Sequence, residues 1–130
     1  MRGGAEWIVD ASGCDPGRLT GEAGVRALSA LFDALVAELD LHPVEPPVWH
    51  RFPDPGGVTG LVALSESHLA CHSFPEEGTL ALNLYTCRPR RAPDWERLLH
   101  AHTGAREVRV QRVERAPGAL ATAAAPERSA

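Results

Sequence analysis

From Thr79 to Thr86 the chain alternates strictly, with Leu80, Leu82 and Leu84 at every second position and Thr79, Ala81, Asn83 and Tyr85 between them. Successive side chains of a strand point to opposite faces, so this segment reads as a strand buried on its leucine face and more polar on the other. A strand of this kind requires a sheet covered on one side. Residues 58–65 and 68–74 supply two more strand-like runs, and Pro75-Glu76-Glu77-Gly78 reads as the hairpin connection before residue 79. Residues 5–10 and 48–52 are short and β-prone, and Val108 and Val110 alternate in a final strand at 107–114 that also carries Val113.

The cover comes from two helical patterns. Val25, Leu28, Leu31, Phe32, Leu35, Val36 and Leu39 recur at intervals of three and four, which predicts a helix over about 22–40, with Thr20 just ahead of it and Pro43 past its exit. Pro93-Asp94-Trp95 opens a second helix through about His102, with Asp94 near the N-terminus, where the helix dipole favours an anion. Gly13-Cys14-Asp15-Pro16-Gly17 and Pro53-Asp54-Pro55-Gly56-Gly57 carry the turn chemistry of loops. The order β-α-β-β-β-β-α-β predicts an α+β two-layer sandwich over residues 1–115: a mainly antiparallel sheet with two helices packed on one face. Residues 116–130 are alanine-rich without an apolar period and read as a disordered tail. Two helices on one sheet face make a thin core, which points to a homodimer.

Composition narrows the function. The net charge of −4 gives no electrostatic reason to expect nucleic acid or an anionic membrane as a partner. No apolar run approaches the ~20 residues of a membrane span, and the opening residues do not build a signal peptide. The three cysteines, Cys14, Cys71 and Cys87, are an odd number without a CxxC pair, as expected of reduced thiols in a cytoplasmic protein. All thirteen basic residues of the Lys+Arg sum are arginine. A lysine Schiff base to a carbonyl substrate or to pyridoxal phosphate is therefore excluded, as is a P-loop lysine.

Candidate chemistry is densest from Ser65 to Cys87. Residue types alone leave three readings open. One is a metal site built from His68, Cys71, His72 and Cys87, although strand alternation turns Cys71 away from the two histidines. The second is a Ser/His or Cys/His nucleophile pair, with no elbow motif to support it. The third is a pair of half-exposed histidines beside a buried thiol.

The run Gly57-Val58-Thr59-Gly60, then Glu66-Ser67-His68, then His72-Ser73-Phe74-Pro75-Glu76, then Thr86-Cys87, closely resembles the short prokaryotic form of S-adenosylmethionine decarboxylase, a pyruvoyl-dependent proenzyme. That family typically reads Gly-Val-Ser-Gly, Glu-Ser-His, His-Thr-Trp-Pro-Glu and Phe-Thr-Cys-Gly, and Gly13-Cys14-Asp15-Pro16 is similar to its opening. The resemblance implies self-cleavage between Glu66 and Ser67 into chains 1–66 and 67–130. Ser67 becomes the pyruvoyl group that forms a Schiff base with the substrate amine, so neither metal nor pyridoxal phosphate is required. It implies that His72 moves protons during processing, that Thr59 supports it, and that Cys87 protonates the substrate carbon after CO2 leaves. An imidazole exchanges protons near neutral pH, and a thiol is mostly protonated there, as an acid must be. Glu76 matches a ribose-binding carboxylate, and Leu69 a substrate contact. His68 belongs to the motif without an assigned step, while Cys14 and Cys71 read as buried thiols. The implied activity is decarboxylation of S-adenosylmethionine to an aminopropyl donor for spermidine biosynthesis, by a homodimer of cleaved protomers.

The departures from the family pattern fall around the substrate. The aromatic usually found just before the Gly-Val-Ser loop aligns with Pro53, and Phe52 sits one residue early, an offset that in a strand turns a side chain to the other face. Phe74 replaces Trp, Glu77 and Thr79 replace aromatics, and Arg88 replaces Gly. These changes keep alternatives open: a member acting on arginine or ornithine, with Glu77 facing the basic side chain, or a non-catalytic homologue.

Overall fold

A computed structural model describes residues 3–116. From residue 117 onward, the tail expected at 116–130 lies outside the described residues. The chain runs β1 (Gly4–Ser12), a 3-10 turn (Pro16–Arg18), α1 (Gly21–Leu39), β2 (Val48–Arg51), β3 (Val58–Leu64), β4 (Ser67–Phe74), β5 (Thr79–Thr86), α2 (Trp95–Thr103) and β6 (Glu107–Arg115). The six strands form one sheet in the order β2-β3-β4-β5-β1-β6, with antiparallel neighbours throughout. This is the α+β sandwich that the alternation and helical periods predict, to within a few residues at each boundary. The first strand extends past the predicted 5–10 because β6 pairs with it along its whole length. The 3-10 turn carries Pro16 in its first turn, where the missing N–H costs nothing.

Both helices cover one face. Leu28, Leu31, Phe32 and Leu35 of α1 and Trp95, Leu98 and Leu99 of α2 share a core with Trp7, Leu69, Leu82 and Leu84 of the sheet. Trp7 packs near Trp95 with ring centroids 6.4 Å apart, and Phe32 against Trp49 at 5.0 Å. Thr20 adopts the extended conformation of an N-cap, but its hydroxyl donates to the Gly56 carbonyl at 2.5 Å. Asp94 caps α2 by accepting from the Arg97 N–H at 3.2 Å, and Gly104 leaves the helix at φ +79°.

The glycines of the Gly57–Gly60 run are there for space. A Cβ on Gly57 would lie 2.0 Å from the Ser73 carbonyl oxygen, and one on Gly60 would lie 2.1 Å from the Trp49 ring. Buried Ser73 ties the same corner together, accepting from the Val58 N–H at 2.8 Å and donating to the Leu19 carbonyl at 2.6 Å.

Among the described residues, no helix covers the opposite face of the sheet. It carries Thr59, His68, His72, Asn83, Tyr85 and Glu6, interspersed with apolar residues such as Leu61, 49% exposed, and Val113, 44% exposed. No helix among the described residues is long and apolar enough to cross a membrane.

Candidate functional site

The expected site residues fall into two groups at opposite ends of β4. At its start, Glu66 lies in the turn from β3, and Ser67 opens the strand paired with Thr86 of β5. Cys87 follows Thr86 directly, so the strand register brings Ser67 and Cys87 to the same sheet end. The Cys87 thiol donates to the Tyr85 hydroxyl at 3.6 Å. The hydrogen bond with Cys87 is the largest influence raising the Tyr85 pKa, followed by burial. The Arg115 guanidinium sits over the Tyr85 ring, 4.9 Å from its centroid. Arg115 also donates to Glu6 at 2.6 Å, and Glu6 accepts from the Asn83 amide at 2.8 Å. The Asn83 hydrogen bond, reinforced by Arg115, holds the Glu6 carboxyl below its usual range. With its amide nitrogen committed to Glu6, Asn83 presents its oxygen to His68 Nε2 at 3.1 Å. His68 Nε2 must then carry the proton, which fixes its tautomer. His68 thus anchors a network across β4, β5 and β1.

At the far end of β4, Thr59 of β3 faces His72, with Oγ1 3.1 Å from Nδ1. His50 of β2 is the next strand partner of Thr59, and the Phe52 ring meets His50 edge-on at 4.6 Å. The one-residue offset at Phe52 therefore does not remove the aromatic from this side of the sheet, because an alternation argument made at position 53 does not apply past the end of β2. Glu76, exposed in the β4–β5 turn, lines a cleft of about 470 Å³ with Pro16, Pro53, Pro55 and Pro75.

Ser67 and His72 do not meet within one protomer. Five residues of strand separate them by about 17 Å, and the odd interval places their side chains on opposite faces. Cys71 is sealed in the core on the face away from both histidines, where burial pushes its thiol up to about 12. Cys14 is also buried and its pKa raised for the same reason. Leu69, expected as a substrate contact, has its side chain fully buried beneath the helices.

Sequence reasoning missed Tyr85, Asn83 and Glu6 as partners of the motif residues, and Arg90 as a partner of Glu66. Arg88 Nε pairs with Glu66 Oε2 at 2.9 Å, and Arg90 Nη2 with Oε1 at 3.5 Å. Arg88 is thus committed to Glu66.

A family model described as S-adenosylmethionine decarboxylase matches residues 5–116, nearly all of the described fold. The chain belongs to the S-adenosylmethionine decarboxylase family. It is 36% identical over 124 residues to a protein of Prochlorococcus marinus (strain MIT 9313) named S-adenosylmethionine decarboxylase proenzyme, covering 92% of this chain and 94% of that one. Proteins with the same name from Parasynechococcus marenigrum and Thermococcus gammatolerans are 37% and 35% identical. Each of those matches takes in 70% of this chain, and they cover 67% and 60% of the two relatives respectively.

Proposed function

We propose that this member is a self-processing, pyruvoyl-dependent decarboxylase of S-adenosylmethionine, supplying an aminopropyl donor for spermidine synthesis in the cytoplasm. The observation that carries the reading is the register of β4 on β5, which sets Ser67 beside Thr86–Cys87 in a chain of this family. A serine opening a strand straight after a turn, with a thiol at the same sheet end, fits a pyruvoyl group formed from Ser67. Processing begins when the Ser67 hydroxyl attacks the Glu66 carbonyl carbon. The C–N bond breaks, the amine takes a proton, and an ester remains. Removal of the Ser67 α-proton then forms Cα=Cβ as the Cβ–O bond breaks and releases the Glu66 carboxylate. The dehydroalanine takes up water and loses ammonia, leaving the pyruvoyl group on chain 67–130.

The pyruvoyl group supplies an electron-withdrawing carbonyl that receives the substrate amine and stabilises the charge left when CO2 departs. Cys87 holds the proton that the substrate carbon then takes, with Tyr85 orienting the thiol. Glu76 binds the ribose hydroxyls as a carboxylate acceptor, and Phe52 offers a flat surface to the adenine.

The gap between Ser67 and His72 supports a homodimer. Two open sheet faces related by a two-fold axis can bring the Thr59–His72–Glu76 end of one protomer to the Ser67–Cys87 end of the other. Cleavage within such a site uses the partner's His72 for proton transfer, assisted by Thr59.

Intact mass of the purified protein tests the processing: two chains split before Ser67, the second lighter than a plain hydrolytic fragment by one ammonia. CO2 release from S-adenosylmethionine, arginine and ornithine tests the substrate. A single uncut chain, or CO2 from a plain amino acid alone, overturns the proposal. Ser67→Ala should remain uncut, and Cys87→Ala should be cut but turn over poorly.

A further inference from the structure

The two residues flanking the proposed cleavage point are both held by one short segment, residues 86–90. Ser67 is paired with Thr86 as a strand neighbour. Glu66 is gripped through its carboxylate, by Arg88 on one oxygen at 2.9 Å and by Arg90 on the other at 3.5 Å. The segment is itself braced, because the Thr86 hydroxyl donates to the Arg88 carbonyl at 3.0 Å. Arg90 is anchored further: its Nε donates to the Leu39 carbonyl at 2.9 Å and its Nη2 to the Asp40 carbonyl at 3.5 Å. Those carbonyls end α1, where the helix dipole favours a cation. A continuous line of contacts therefore runs from the end of α1, through Arg90, to the side chain on the acyl side of the bond.

We propose that Arg88 and Arg90 are positioning residues for self-cleavage, clamping Glu66 so that its carbonyl carbon stays within reach of the Ser67 hydroxyl. This inference rests on Ser67 being the cleaved serine. The two reacting atoms belong to adjacent residues, so their approach is set by a few backbone dihedrals around one peptide. Holding both flanking residues against the same segment restricts those dihedrals before reaction, and small losses of alignment lower a rate steeply. The arginines act through the Glu66 carboxylate and take no proton and form no bond in the step.

The test is a time course of cleavage after a pulse of cell-free synthesis, read by denaturing electrophoresis. Arg88 is the cleaner probe. Its side chain is 64% exposed, and Glu66 is its only ion-pair partner among the described residues. Arg88→Gln should slow cleavage by about three- to tenfold without changing Tm, given a partly exposed charged pair. Arg90→Gln should slow it at least as much, with partial rescue in Arg90→Lys, which keeps the charge but loses the fork. Glu66→Gln should slow cleavage too, and adding Arg88→Gln to it should change nothing further, because both act through one carboxylate. Wild-type protein that stays uncut overturns the processing reading itself. Wild-type protein that cuts while Arg88→Gln and Arg90→Gln cut equally fast, or effects that multiply in the Glu66→Gln background, overturn the clamp alone.

Discussion

Glu76→Gln and Cys87→Ala are each expected to process normally and to decarboxylate poorly, yet together they should restore activity. Glu76 lies in the turn beyond the end of β4, while Cys87 stands beside its start. The intervening strand, Ser67–Phe74, alone is about 23 Å at ~3.3 Å per residue, far beyond the ~3 Å reach of a hydrogen bond. Closing that gap inside one protomer would require stripping β4 from both β3 and β5. In a two-fold dimer each site takes Cys87 from one chain and Glu76 from the other. A mixed dimer then holds one site with both defects and one with neither. Random assembly of co-expressed variants makes half of the dimers mixed, so the population should recover about one quarter of wild-type activity, and mixed dimers isolated through two different tags about one half. The assay is CO2 release from S-adenosylmethionine per protomer, against each variant expressed alone. Isolated mixed dimers no more active than the mean of the two parents would refute the composite site.

Ser73→Ala removes the partner of two buried backbone groups, the Val58 N–H and the Leu19 carbonyl. It should cost about 2–4 kcal/mol in urea unfolding with an unchanged m-value, and a loss under about 0.5 kcal/mol would contradict the burial argument. Native protein at pH 8 should react with a thiol reagent once per protomer, at Cys87, and three times per protomer after unfolding, because Cys14 and Cys71 are buried and burial raises their pKa. Two fast native equivalents would contradict this. The Glu6 pKa is lowered in the fold from 4.5 by Asn83 and Arg115, so its contribution to stability is present above about pH 4.5 and is lost as pH falls through the lowered value. Glu6→Gln should therefore lower stability at pH 7 by on the order of 1 kcal/mol, with the gap in Tm narrowing toward pH 3. An equal gap at both pH values would show that the ionised form contributes nothing.

The sheet faces were legible because alternation is a local property. The three leucines of β5 name its buried face, and the same parity sets His68 and His72 together with Cys71 opposite. Parity also says that the Leu69 side chain faces the core, as it does. Six residues of motif, Ser67 to His72, look like one cluster in sequence, and the extended backbone pulls its ends apart. Arg90 reads as one member of a basic run. Its real partners are 51 residues away at Leu39 and 24 away at Glu66, where the end of α1 approaches the β3–β4 turn. Nothing local encodes that approach. Glu6, Asn83 and Tyr85 likewise meet only once β1 has been placed beside β5.

The strand order carries a consequence for when the chain can be cut. Residues before Ser67 supply β1, β2 and β3, and those after Glu66 supply β4, β5 and β6, but the sheet interlaces them as β2-β3-β4-β5-β1-β6. Neither piece can build the sheet alone: the first holds one strand pair and a stray β1, the second one pair and a stray β6. Ser67 pairs with Thr86 inside the second piece, but the grip of Arg88 and Arg90 on Glu66 joins the two and exists only after both halves have threaded together, so a bond cut under that grip records that folding is already complete. Afterwards the two pieces stay laced through three shared strand seams. Unfolding then becomes a different kind of event for the two forms: the uncut chain returns to its fold alone, whereas the cut protein must find its other half again, at a rate set by concentration.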